Sequence, residues 1–120
     1  MYKLITNFAL FLIASFNLSA IELDQLVVEE GFSISIFAEN LDSPRQMVEG
    51  KNGTIFVGER NGKIIALRDS DNNGQADSKI IVAEGLTYST GVSLFNGDLY
   101  FSEVSQFGKL KTLKIGLQII

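Results

Sequence analysis

Residues 69–77 read DSDNNGQAD, a short stretch dense in side-chain oxygen. Asp69, Asp71, Asn73 and Asp77 stand at positions 1, 3, 5 and 9 of a calcium-type loop, with Gly74 at the sharp turn. Alternating oxygen donors on a tight loop can converge on a hard cation. The twelfth position is Ile80 rather than a bidentate glutamate, which excludes an EF-hand. A solvated hairpin loop has the same composition, so a weak calcium site and a plain connector both remain open.

A second group is cationic and carboxylate. Arg45 lies in PRQMVEG, residues 44–50, read below as the innermost strand of a sheet. An inward-facing guanidinium needs a carboxylate or an anionic ligand, so a salt bridge to Glu59 or Glu103 and a ligand contact are equal expectations. Glu59, Arg60 and Glu103 fall at strand ends, where charges are ordinarily solvated. The chain contains no histidine and no cysteine, which excludes Ser-His, Cys-His and His-metal chemistry, disulfides and a lipidated cysteine. Carboxylates are the strong bases left. GKNGTIFVG lacks the helix that a phosphate loop requires.

The elements that position these residues are announced by a repeat. LDSPRQMVEGKNGTIFVGERNGKII (41–65) returns in weaker form as LTYSTGVSLFNGDLYFSEVSQFGKL (86–110). Leu41 and Leu86 are 45 residues apart, as are IFAENL (36–41) and IVAEGL (81–86). The stretches 32–39, 54–59, 63–68, 79–84, 91–95 and 98–104 are short and rich in β-branched or aromatic residues, which predicts strands. Asn52-Gly53, Asn61-Gly62 and Asn96-Gly97 supply the positive φ that tight hairpins need. Asn52-Gly53-Thr54 also fits the N-glycosylation pattern, although the turn already accounts for it. Beyond the N-terminal segment the only helical signal is a turn around 23–29.

The predicted fold class is therefore all-β: a partial β-propeller with one complete four-stranded blade, about 42–86, and most of a second from 87 onward. FSISIFAENL matches the outer-strand position and would complete the last blade of a ring. Propellers close with at least about four blades, so the chain starts a ring that it does not finish. It reads as a truncated product or fragment, or else as one of several associating copies, with open edges that invite self-association. The composition shift in GKLKTLKIGLQII favours the first.

Residues 1–20, with Lys3, the apolar run Leu4 to Phe16 and Ser19-Ala20, read as a cleaved secretory signal, with an uncleaved anchor as the rival. The expected organisation is a signal helix at 1–20, blades at 21–106 and a divergent basic and apolar tail at 107–120. Export places the protein in the periplasm or outside the cell, off the membrane once the signal is removed. Residues 21–106 carry six Lys or Arg against fourteen Asp or Glu, whereas 107–120 hold Lys109, Lys111 and Lys114 with no acid. An acidic body argues against nucleic acid as a partner.

Gly31-Phe32, SPRQM, GTIFVGER, the Asp/Asn/Gly loop and GVSLFNGDLYFSEV together make residues 30–105 resemble the N-terminal part of the glucose/sorbosone dehydrogenase family. The resemblance implies an exported six-bladed propeller related to the soluble quinoprotein glucose dehydrogenase. It implies pyrroloquinoline quinone and calcium as cofactors, and oxidation of a sugar alcohol or aldehyde group, with hydride passing to the quinone while a base removes a proton. It also implies that Arg45, Tyr88, Thr90 and Gly91 face the cofactor. The family's histidine base would fall among Thr87, Tyr88, Ser89 and Thr90, none of which can serve, so the catalytic residue is unknown. A non-catalytic propeller segment that binds a protein or carbohydrate partner is the alternative.

Overall fold

A computed structural model describes residues 23–111. The expected signal, 1–20, and the end of the tail, 112–120, lie outside the described residues.

Of the described residues, 23–34 belong to one unit and 35–111 to another. In the first, Leu23–Gln25 makes a single 3-10 turn, and the amide of Phe32 donates to the carbonyl of Glu29. The second holds seven strands: β1 (Pro44–Glu49), β2 (Ile55–Glu59), β3 (Lys63–Arg68), β4 (Ser78–Ala83), β5 (Gly91–Phe95), β6 (Asp98–Ser102) and β7 (Phe107–Lys111). They form two antiparallel meanders, a four-stranded sheet β1-β2-β3-β4 and a three-stranded sheet β5-β6-β7. The strands of the described residues are all antiparallel β, as the short β-branched and aromatic runs between turn formers predict.

Period-two alternation divides the core. Phe56, Ile64 and Ala66 point from the first sheet toward Val92 and Leu99 of the second, with Val82, Ala83 and Leu86 packed against them. The intervening residues Val57, Ile65 and Leu67 point to the opposite face, where Phe37, Ala38 and Leu41 cover them. Both faces of β2 and β3 are therefore buried, which explains why IFVG and KIIAL read as continuous apolar runs rather than clean alternations.

The 45-residue repeat is present in the backbone as well as in the letters. Asn40 and Gly85 both have positive φ (56° and 77°), as do Ser43 and Tyr88 (54° and 55°) and Gly53 and Gly97 (72° and 78°). The pairing registers superpose too: Gln46 opposes Gly58 as Gly91 opposes Ser102, and Glu49 opposes Ile55 as Leu94 opposes Leu99. Each meander is one copy of a single backbone plan.

Two boundaries differ from the sequence reading. Residues 32–39, expected as a strand, have no strand pairing; within 35–39 the carbonyl of Phe37 accepts the Ala76 amide at 2.7 Å. A strand exists only beside a partner, and here none of the described strands lies alongside. Conversely, the first five residues of the expected tail, Phe107–Lys111, form β7 against β6.

Candidate functional site

The oxygen-rich loop joins β3 to β4. One carboxylate oxygen from each of Asp69, Asp71 and Asp77 lies within 4.8 Å of the others. Two ligands on opposite sides of a calcium ion with bonds of about 2.4 Å would be about that far apart, so the three acids are close enough to share one ion. The loop also satisfies itself. Asp69 accepts the amides of Gly74 at 2.8 Å and Asn73 at 3.1 Å, and Asp77 accepts the amide and hydroxyl of Ser70 at 2.8 and 3.1 Å. The Asn73 side-chain amide donates to Asp71 at 3.0 Å, while its carbonyl accepts the Gln75 amide at 2.8 Å. Desolvation pushes the Asp69 pKa up, but the bonds from Gly74 and Asn73 outweigh it and hold the carboxyl below its ordinary value. The donor set, three carboxylates and an amide oxygen, is the hard-oxygen type that suits calcium. Asn73 would have to release Gln75 before its oxygen could join.

Arg45 sits at a β-bulge: the β1–β2 register shifts between Pro44 and Gln46. A bulge re-aims the side chain of the extra residue. Arg45 is exposed and makes no hydrogen bond or ion pair among the described residues, so neither expected salt bridge forms. The two glutamates have another task. Glu59, 4% exposed, accepts the Asp42 amide at 2.8 Å, and Glu103 accepts the Thr87 amide at 2.5 Å. Asp42 and Thr87 are equivalent across the repeat, so each glutamate fastens the connection that leads into an inner strand. The expectation of solvated strand-end charges is corrected for Glu59, which is buried beside an otherwise unpaired backbone N–H, whereas Arg60 is exposed and Glu103 half-buried. The Thr87 amide, with Gln106 second, holds the Glu103 pKa below its ordinary value.

Tyr88, Thr90 and Gly91 belong to the connection into β5 and its first residue. Tyr88 is half exposed in a left-handed conformation, and the Arg60 guanidinium lies over its ring at 5.1 Å from the centroid. The Thr90 amide donates to the Ser102 carbonyl at 3.1 Å, and the two hydroxyls lie 3.4 Å apart. Gly91 lies close to its neighbours: a Cβ there would stand 2.5 Å from the Ser102 hydroxyl and 3.2 Å from the Gln46 side-chain oxygen, so those side chains would have to turn away. The structure therefore brings Gly91 beside the residue that follows Arg45, while Tyr88 and Thr90 are engaged with Arg60 and Ser102. Ser89 is fully buried against Gly58 and Val92 and its hydroxyl has no hydrogen-bond partner among the described residues, so it is shielded from any substrate.

An open cavity of about 250 Å³ lies against the second sheet, between Gln46, Gly91, Tyr100 and Phe107. Sequence reasoning did not select Gln46, Tyr100 or Phe107 as functional residues. The signal that could have found them is the repeat: Tyr100 and Phe107 stand where Phe56 and Ile64 stand in the first sheet. No family model, curated protein or solved structure matches the chain.

Proposed function

We propose that the described strands are two successive blades of a β-propeller of the glucose/sorbosone dehydrogenase type, exported and acting on a sugar alcohol or aldehyde. One observation carries this reading. Two meanders of one backbone plan pack with the inner strand β1 beside the inner strand β5, which is how consecutive blades sit around an axis. The residues SPRQM and GVSLFNGDLYFSEV support the family, since they occupy both inner strands and the hairpin that follows the second.

In this reading Arg45 holds the anionic cofactor. Its exposed guanidinium, without a partner among the described residues, is suited to a carboxylate-bearing quinone. Gly91 leaves space beside it. Pyrroloquinoline quinone, when bound, would supply a two-electron acceptor for hydride. The acidic loop 69–77 would hold calcium. The base for proton removal is unassigned, because both Glu103 oxygens accept hydrogen bonds, from Thr87 and Gln106, that lower its basicity, and 87–90 offers none. That gap favours a second reading, a non-catalytic propeller segment that presents its inner strands to a protein or carbohydrate.

The test adds pyrroloquinoline quinone and calcium to the full chain and records the quinone spectrum and sugar-dependent dye reduction. A spectral shift that R45A weakens by at least about tenfold, a loss of about 1.4 kcal/mol, supports the cofactor site. Dye reduction would separate the enzyme from the binding module. An unshifted spectrum with saturating quinone refutes the cofactor site and Arg45's role in it.

A further inference from the structure

The two sheets follow one plan, yet they are not equally covered. Phe56 and Ile64 are 1% and 0% exposed because the second sheet lies over them. Their equivalents in the second sheet, Tyr100 and Phe107, are 36% and 91% exposed, and Phe95 on the same face is 65% exposed. Sheet β5-β6-β7 also has no strand beside β7 among the described residues, although the equivalent strand β3 is paired with β4. One sheet face and one sheet edge are thus open.

The opposite end of the second unit shows the reverse deficit. Phe37, Ala38 and Leu41 cover Val57, Ile65 and Leu67 as Val82, Ala83 and Leu86 cover the other face. Each of these residues is 45 positions before its counterpart. Residues 35–41 therefore hold the place that the fourth strand β4 holds in the repeat, while pairing with none of the described strands. Met47 reports the same deficit: it is 65% exposed, whereas its equivalent Val92 is 3% exposed.

Each surface is the complement of the other. We infer that a second copy of this chain docks head to tail, lending its residues 35–38 as the fourth strand along β7 and its Met47 and Ile55, the equivalents of Val92 and Leu99, as the cover for Phe95, Tyr100 and Phe107. The β3–β4 register carries over directly. Ile64 opposes Ala83 and Ala66 opposes Ile80, which places Phe107 opposite Ala38 of the second copy and Lys109 opposite its Ser35. Phe107 then meets Ala38 as Ile64 meets Ala83, and Met47 of the second copy reaches the cover that Val92 already has. Charge agrees as well: Lys109 reaches over the Tyr100 ring to Asp98 at 2.8 Å, and the exposed Glu49 of the second copy adds a carboxylate on the facing side. The contact is heterologous, so it closes into a ring when the rotation permits. With two sheets from each chain, about two to four copies make a ring of propeller size. The inference rests on the repeat and does not depend on the proposed activity.

The test uses the full chain, which contains no cysteine, so introduced thiols are unambiguous. Variants S35C and K109C are mixed and oxidised while light scattering follows the mass of the wild type and of F107E. The expected result is a concentration-dependent oligomer, a disulfide-linked S35C–K109C heterodimer in excess over either homodimer, and association weakened by at least about tenfold in F107E. Because Phe107 is exposed in the single chain, F107E should keep the wild-type circular dichroism spectrum. A monomer at all concentrations overturns the inference. So does an oligomer that ignores F107E and gives no mixed disulfide, which would mean another surface is used. Protection of β7 amides from exchange in a monomer would show residues 112–120 of the same chain on the edge, and also overturns it.

Discussion

Gly62 offers the sharpest test of how the repeat is held together. It has φ of +87°, and a Cβ there would collide with the backbone of Leu86, whose amide donates to the Gly62 carbonyl at 3.0 Å. Gly62→Ala therefore incurs three costs. The left-handed conformation costs an L-residue about 1–2 kcal/mol, the lost hydrogen bond about 1 kcal/mol, and partial withdrawal of Leu86 from the inter-sheet core about 1 kcal/mol. The sum is about 3–4 kcal/mol, a large share of a stability of about 5–15 kcal/mol. Gly53→Ala isolates the first cost, since φ there is +72° with nothing within 4 Å of the new Cβ. In urea unfolding followed by circular dichroism, with m of about 1.5 kcal/mol/M, the midpoint should fall by about 2 M for G62A. For G53A it should fall by about 1 M or less. Equal shifts would show that the 86–90 connection is not anchored on the 60–62 turn and would refute the reasoning.

Glu103 makes a pH prediction. Its folded pKa lies below the unfolded value, so the stability it contributes is complete above the ordinary glutamate pKa and is lost as pH falls through the lowered folded one. Thermal melts from about pH 7 to about pH 3 should show a shallower acid limb for E103Q than for wild type, and parallel curves would contradict the clamp. For the acidic loop, calcium at about ten times a millimolar-range Kd should add about 1.4 kcal/mol, a rise of several degrees in Tm. D69N should lose that increment, because its carboxylate is both a ligand and the acceptor for Gly74 and Asn73. An unchanged wild-type Tm in calcium would leave the loop as a hydrogen-bonded connector.

Local chemistry in the sequence determined the strands, the hairpins and the repeat. The β-branched and aromatic runs at 54–59 and 63–68 and the Asn-Gly turns act within a few residues, so they are legible without neighbours. The oxygen pattern of 69–77 likewise sufficed to bring three carboxylates together. Whether a pleated segment becomes a strand is a different matter, because ladder hydrogen bonds come from another part of the chain. IFAE at 36–39 and IVAE at 81–84 are nearly the same string, yet only the second has a β3 beside it. The same holds for charge: a salt bridge from Arg45 to Glu59 or Glu103 is one of two equal expectations from sequence, but both carboxylates accept a backbone amide instead, and tertiary packing alone decided that competition.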